Sequence, residues 1–207
     1  MPWHLEGMDP RGIGAVAALA LTLFASTARA DTPAATAPEP PSWKFSVEGD
    51  ITRLVLGSLS VHLMARPAGL PRLRFGIGRV GGQLPKLFHV LFDPNDDGWE
   101  ATEQGSVLQA FYHSSDDGNA FFLGGYARFD YWQWRRSELP GKVSGAQIFL
   151  MPAVGFRWFP AGKGVYVAPL AGLGVSIWDS GPGKIGPHTY EPLRLFPLPT
   201  IHVGFEG

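Results

Sequence analysis

The chain contains no cysteine in 207 residues, which removes disulfides, thiolate metal centres and a cysteine nucleophile from consideration. Charge is scarce as well. Asp, Glu, Lys and Arg make up 17% of the residues, and the formal net charge is −1. Proteins that bind nucleic acid usually carry a basic patch or stripe; this balance offers none and excludes that class of partner. Beyond Ala25 no apolar run approaches the ~20 residues that a helix needs to cross a bilayer. What the chain has in quantity is aromatic residues, at 13%, and 27 glycines. That mixture suits a β-barrel better than a helical protein, and it suits a soluble β-sandwich too.

The amino-terminal region reads as an export signal. Arg11 precedes the uncharged apolar stretch Gly12–Ala25, and Ala28-Arg29-Ala30 forms a small-x-small cleavage site before Asp31. The apolar stretch is roughly 14 residues long, short of the ~20 of a spanning helix, so residues 1–30 are expected to be a cleaved signal peptide rather than an anchor. Residues 31–42, rich in Pro, Ala and Thr, cannot bury a core and are expected to form a disordered leader.

The stretch Ala120–Asp179 then carries the strongest pattern: three long segments with alternating faces. In the first, Phe121, Leu123, Ala127 and Phe129 oppose Tyr126, Arg128 and Asp130. In the second, Ile148, Leu150, Val154, Phe156 and Trp158 oppose Gln147, Gly155 and Arg157. In the third, Val165, Val167, Leu173, Val175 and Ile177 oppose Gly172, Gly174 and Ser176. One face is greasy and the other small, polar or charged, as in a membrane-spanning barrel wall.

Similar segments flank this unit. Phe45–Glu48 predicts a short strand and Ile51–Met64 a longer one, with Val55, Leu59, Val61 and Leu63 outward and Ser58, Ser60 and His62 inward. The alternation from Leu73 to Gly82 predicts another. Leu84–Phe92 breaks the alternation and reads as an amphipathic helical turn at the membrane surface. Asp93–Gly98 reads as a solvated turn; it lacks the ligand spacing of a calcium loop. Trp99–Ser114 is the next strand, with Glu103, Gln109 and Phe111 sharing a face, and Ser115–Asn119 is a tight turn. Ser180–Leu193 reads as a loop, and Leu198–Phe205 as the closing strand with His202 inward. The expectation is an all-β, antiparallel up-and-down transmembrane barrel of about eight strands spanning residues 43–207.

With its export signal, its long hairpins, the run YARFDYW, VGFRWFP and GLGVSIW, and the ending TIHVGFEG, the chain resembles the small eight-stranded outer-membrane barrels of Gram-negative bacteria (the OmpA-transmembrane, OmpX and OmpW type). The resemblance covers Trp43 to Gly207 and rests on architecture. It implies residence in the outer membrane, contact with outer-membrane lipid, a monomer, and handling by the barrel insertion machinery. That machinery reads a terminal aromatic; here Phe205 is followed by Glu206 and Gly207.

Candidate site residues follow from the alternation. Arg74, Arg128, Asp130, Arg157, His62 and His202 are expected to form a polar network in the lumen, joined by Arg72, Glu103 and Glu206. An eight-stranded barrel is just wide enough for side chains to fill it, and buried charges must pair, so the lumen is expected to be filled. Trp132, Trp134, Trp158 and Trp178 stand near strand ends, where a membrane-interface girdle would place them; core aromatics of a soluble sandwich are the other reading.

Lone histidines without partners at defined spacing indicate no metal site, and no cofactor is implied. Catalysis has one weak foothold. Outer-membrane lipid A deacylases are small barrels that use Ser, His and an acid, and here Ser60/His62 and His113/Ser115 each stand two apart, the latter beside Asp116 and Asp117. A serine beside a histidine base oriented by a carboxylate is the minimum for acyl transfer. Three functions therefore stand open: a structural or interactive outer-membrane barrel (membrane integrity, adhesion or binding of a small apolar molecule), an outer-membrane lipid-modifying hydrolase, and a soluble periplasmic barrel that holds a ligand inside.

Overall fold

The computed structural model describes residues 42–83, 98–116 and 118–207. The expected signal peptide, almost all of the leader, the amphipathic turn over 84–92 and all but Gly98 of the acidic turn lie outside the described residues. Eight strands form a closed barrel: β1 (Lys44–Asp50), β2 (Ser58–Arg66), β3 (Leu73–Gln83), β4 (Trp99–His113), β5 (Ala120–Arg136), β6 (Val143–Arg157), β7 (Val165–Asp179) and, after a short hairpin of β8 (Gly183–Ile185) and β9 (His188–Tyr190), β10 (Leu195–Glu206). Every pairing is antiparallel between neighbours in the chain, apart from the inserted hairpin, and β1 closes the ring by pairing with both β2 and β10. Closure leaves the barrel itself with no unpaired strand edge. This is the architecture that the resemblance implied.

The alternation read from sequence sets which residues face out. Leu63, Ile77 and Leu123 are 59%, 59% and 62% exposed, while their neighbours His62, Gly78 and Phe122 face the interior or its lining. The interior fills because cross-strand neighbours complement each other in size. Gly78 lies opposite His62 and Gly204 opposite Tyr166. A Cβ at either glycine would run into the ring of its partner, so each large inward side chain occupies the space that its glycine leaves.

The two ends differ. Residues 67–72 and 158–164 form short turns at the end where Lys44 and Glu206 also lie, and β4 is followed by β5 at the same end. At the opposite end β3 is followed by β4, and β7 by β10 through 180–194, the longest connection among the described residues. At the short-turn end, Phe159 N donates to Asn119 Oδ1 at 2.6 Å and ties two turns together.

The expected strand over Ile51–Met64 is corrected. Ile51–Val55 forms a single helical turn, α1, and β2 begins only at Ser58. The cause is local. The Asp50 side chain caps the turn by accepting from Arg53 N at 2.9 Å, and Gly57 takes a φ of +92° to turn the chain into β2. The expected loop over Ser180–Leu193 also holds more structure than the sequence announced, since β8 and β9 lie inside it and β10 starts at Leu195.

Candidate functional site: the barrel lumen

The inward face of each strand contributes to one column of side chains, which falls into three levels. Toward the long-loop end of the polar region lie Arg53 and Arg128 with Asp50, Glu103 and Asp130. Arg128 Nη2 donates to Asp130 Oδ1 at 2.8 Å and to Glu103 Oε2 at 3.1 Å. Arg53 reaches in from α1 and donates to the other oxygen of Glu103. Asp50 accepts from Thr200 Oγ1 and stands 3.8 Å from Arg53 Nε. Each of these charges has an opposite partner, as burial requires.

The middle level is built from β1, β2, β7 and β10. Glu48 accepts from Tyr166 Oη at 2.8 Å and lies 3.1 Å from His202 Nδ1. The rings of His202 and His62 stack with centroids 5.2 Å apart, and His62 Nε2 lies 2.7 Å from Ser60 Oγ. At the short-turn level, Glu206 gathers three arginines. Arg74 donates to it, Arg157 Nη1 lies 3.1 Å from Oε2, and Arg66 Nη2 lies 3.6 Å from Oε1. The Arg157 guanidinium rests 3.5 Å above the ring centroid of Tyr166 and 5.0 Å from that of Phe159.

Above the polar column, at the long-loop end, Trp99, Trp132 and Trp134 pack inside the ring with Tyr190. Trp132 and Trp134 stack at 5.7 Å, and Trp134 and Tyr190 at 3.8 Å. This corrects the interface assignment of two tryptophans. Trp132 and Trp134 are 7% and 3% exposed and face inward, because they share the parity of Arg128 and Asp130 on β5. Trp158 and Trp178 are about half exposed on the outside, as is Tyr131, the outward neighbour of Trp132.

The structure gathers Arg74, Arg128, Asp130, Arg157, His62 and His202 in the lumen, all buried. Arg72 is instead in the turn after β2, exposed and 3.7 Å from Asp116. The two Ser/His pairs part company. Ser60 and His62 do meet, but both are buried in the lumen. His113 points into the lumen as well, while Asp116 pairs outward with Arg72 and so does not orient it. Sequence reasoning missed Arg53 because it ran a strand through it, missed Asp50 because it fell between two expected strands, and missed the role of Glu48 and Tyr166. Parity from Val47 would have turned Glu48 inward; the reach of Arg53 from a helical turn left no periodic signal. Among the described residues, no cluster of three or more His, Asp or Glu side chains is placed to hold a metal ion.

No protein-family model matches this chain. No curated protein matches it either. Among solved structures, it is similar to a major outer membrane protein from Thermus thermophilus at 13% identity and a TM-score of 0.46, over 80% of this chain and 100% of that one. It is similar also to Neisserial surface protein A (NspA) at 9% identity and a TM-score of 0.44, over 79% of this chain and 94% of that one.

Proposed function

We propose that the protein is an integral outer-membrane barrel with a sealed lumen, which acts as a lipid-embedded scaffold rather than as a diffusion pore or an enzyme. The observation that carries the reading is the inversion of ordinary burial. The outer wall is apolar around the ring, from Val47 through Leu63, Ile77 and Leu123 to Val154 and Ile201, each at least 40% exposed, whereas ten charged groups line or flank the interior. Soluble monomers rarely expose a contiguous apolar surface of more than a few hundred Å²; a lipid bilayer is the medium in which such a wall is stable. An expected export signal leads the same way.

Short turns at one end and long connections at the other fit an orientation with the short turns in the periplasm and the long connections outside. Contacts that serve membrane integrity or adhesion would then fall on the long-loop end. For a small apolar molecule, the outer wall has an open apolar depression of about 740 Å³ between Tyr112, Phe121, Leu123, Val154, Phe156 and Ala171.

Neither rival gains support. Ser60 lies inside the column, out of reach of a membrane lipid, and a soluble ligand carrier would turn its apolar faces inward. The test is to express the full chain, isolate outer membranes and run the detergent extract on a gel with and without boiling, then reconstitute the protein in planar bilayers. The expected result is a heat-dependent shift in migration with no steady open-channel current. A freely soluble periplasmic protein without the shift would overturn the membrane reading, and a stable conductance would overturn the sealed lumen.

A further inference from the structure

The short-turn level of the lumen has a local excess of positive charge. Among the described residues, Arg66, Arg74 and Arg157 surround one carboxylate there, that of Glu206. The next carboxylate, Glu48, is already engaged by Tyr166 Oη at 2.8 Å and His202 Nδ1 at 3.1 Å. The level above has the opposite imbalance, with Asp50, Glu103 and Asp130 around Arg53 and Arg128. Opposite charges at different levels offset each other weakly, because compensation of a buried ion depends on direct hydrogen-bonded contact.

The donors tell the same story atom by atom. Arg157 is 3% exposed, and its Nε and Nη2 have no hydrogen-bond acceptor among the described residues; the same holds for Arg74 Nε, and His113 Nδ1 has no partner there. Tyr166 and Phe159 cover the flat face of the Arg157 guanidinium. Rings attract a cation through its face, but they accept nothing from most of its N–H edge, where all five donors point. Arg74, Arg157 and His113 line one cavity of about 20 Å³, together with Glu48, His202 and the hydroxyl-bearing rings of Tyr126 and Tyr166. A single water needs roughly 10–15 Å³ by the same measure, so the space suits a monatomic ion and excludes phosphate, sulfate or a carboxylate ligand.

We propose that this cavity is a binding site for one halide-sized monovalent anion, chloride in the cell. The guanidinium edges of Arg157 and Arg74 hold it, with the His113 ring as a third donor. The anion neutralises part of the excess charge and accepts the N–H groups that no acceptor among the described residues takes up. It is a structural counter-ion that locks β3, β4 and β6 together at the short-turn end.

The test uses the full-length protein refolded from urea in detergent with gluconate as the only anion, and checked for its heat-dependent gel shift so that a misfolded barrel is recognised first. Unfolding midpoints are then followed by tryptophan fluorescence as sodium chloride or bromide replaces sodium gluconate at constant ionic strength. The midpoint should rise by about 3–6 °C for each tenfold increase in halide above its dissociation constant. Crystals grown in bromide should show one anomalous peak between Arg74 and Arg157. Arg157→Gln and, separately, Arg74→Gln should each abolish the halide response; one of the two is enough should the other fail to fold. Equal midpoints in halide and gluconate, or a halide response that survives the substitution, or a bromide peak outside the lumen, would overturn the site and leave water as the acceptor of these donors.

Discussion

The rings of Trp134 and Tyr190 stack with centroids 3.8 Å apart and planes 26° from parallel, so a residue of the β8–β9 hairpin is fastened to the inner wall of β5. An aromatic pair of this kind contributes about 0.5–1.5 kcal/mol beyond its area. Tyr190→Ala should therefore loosen the hairpin while the barrel stays closed. Lys184 is exposed on β8, and trypsin should cut after it about 2- to 10-fold faster in the variant than in the parent. An unchanged cutting rate would mean that the stack does not restrain the hairpin.

Glu103 is almost fully buried between two arginines, whereas Glu100, on the same strand, pairs with Arg135 in the open. Glu103→Ala strands Arg53 and Arg128 and should cost about 3–5 kcal/mol. Glu100→Ala should cost less than about 1 kcal/mol. Urea unfolding of the two variants in the same detergent makes the comparison, and equal costs would deny that the column is held by its ion pairs.

Leu63 stands on the outer face of β2 at 59% exposure. On a soluble barrel, Leu63→Arg would be harmless. In a bilayer, an arginine on the lipid face costs about 2–4 kcal/mol near the midplane, and the variant should show a reduced yield in outer membranes and a lower unfolding free energy in lipid. Indifference to the substitution would speak against lipid contact at β2.

Ser60→Ala removes the hydroxyl 2.7 Å from His62 Nε2. With Ser60 enclosed, membranes from cells overproducing parent or variant should contain the same lipids. The variant should lose about 1–3 kcal/mol of stability, because a buried imidazole nitrogen is left unpaired. A lipid species that appears with the parent and vanishes with Ser60→Ala would instead restore the hydrolase reading.

Much of this architecture could be read before the structure, because period-two alternation is a one-dimensional signal. Phe121, Leu123 and Phe129 outward and Arg128 and Asp130 inward follow from parity alone. The same parity, carried two and four residues further, sends Trp132 and Trp134 inward; the attraction of a strand-end girdle overrode it. Other features have no periodic signature. Asp50 ends β1 by capping a helical turn, a competition between side-chain and ladder hydrogen bonds that hydrophobicity does not register. The pairing of Glu206 with Arg66, Arg74 and Arg157 depends on closure of the ring, which brings the last strand beside the first and is invisible to any local window. The β8–β9 hairpin is too short to alternate.

The fit of Gly78 against His62 and Gly204 against Tyr166 has an evolutionary consequence. Neither position can change alone: enlarging the glycine evicts a ring, and shrinking the ring opens a hole inside the column. Such sites drift as couples across a hydrogen-bonded ladder, one partner growing as the other shrinks. Distant relatives of this barrel should therefore preserve the summed volume of each couple long after the identity of either member is lost, and an exchange of the two residues between strands should be better tolerated than either half of it.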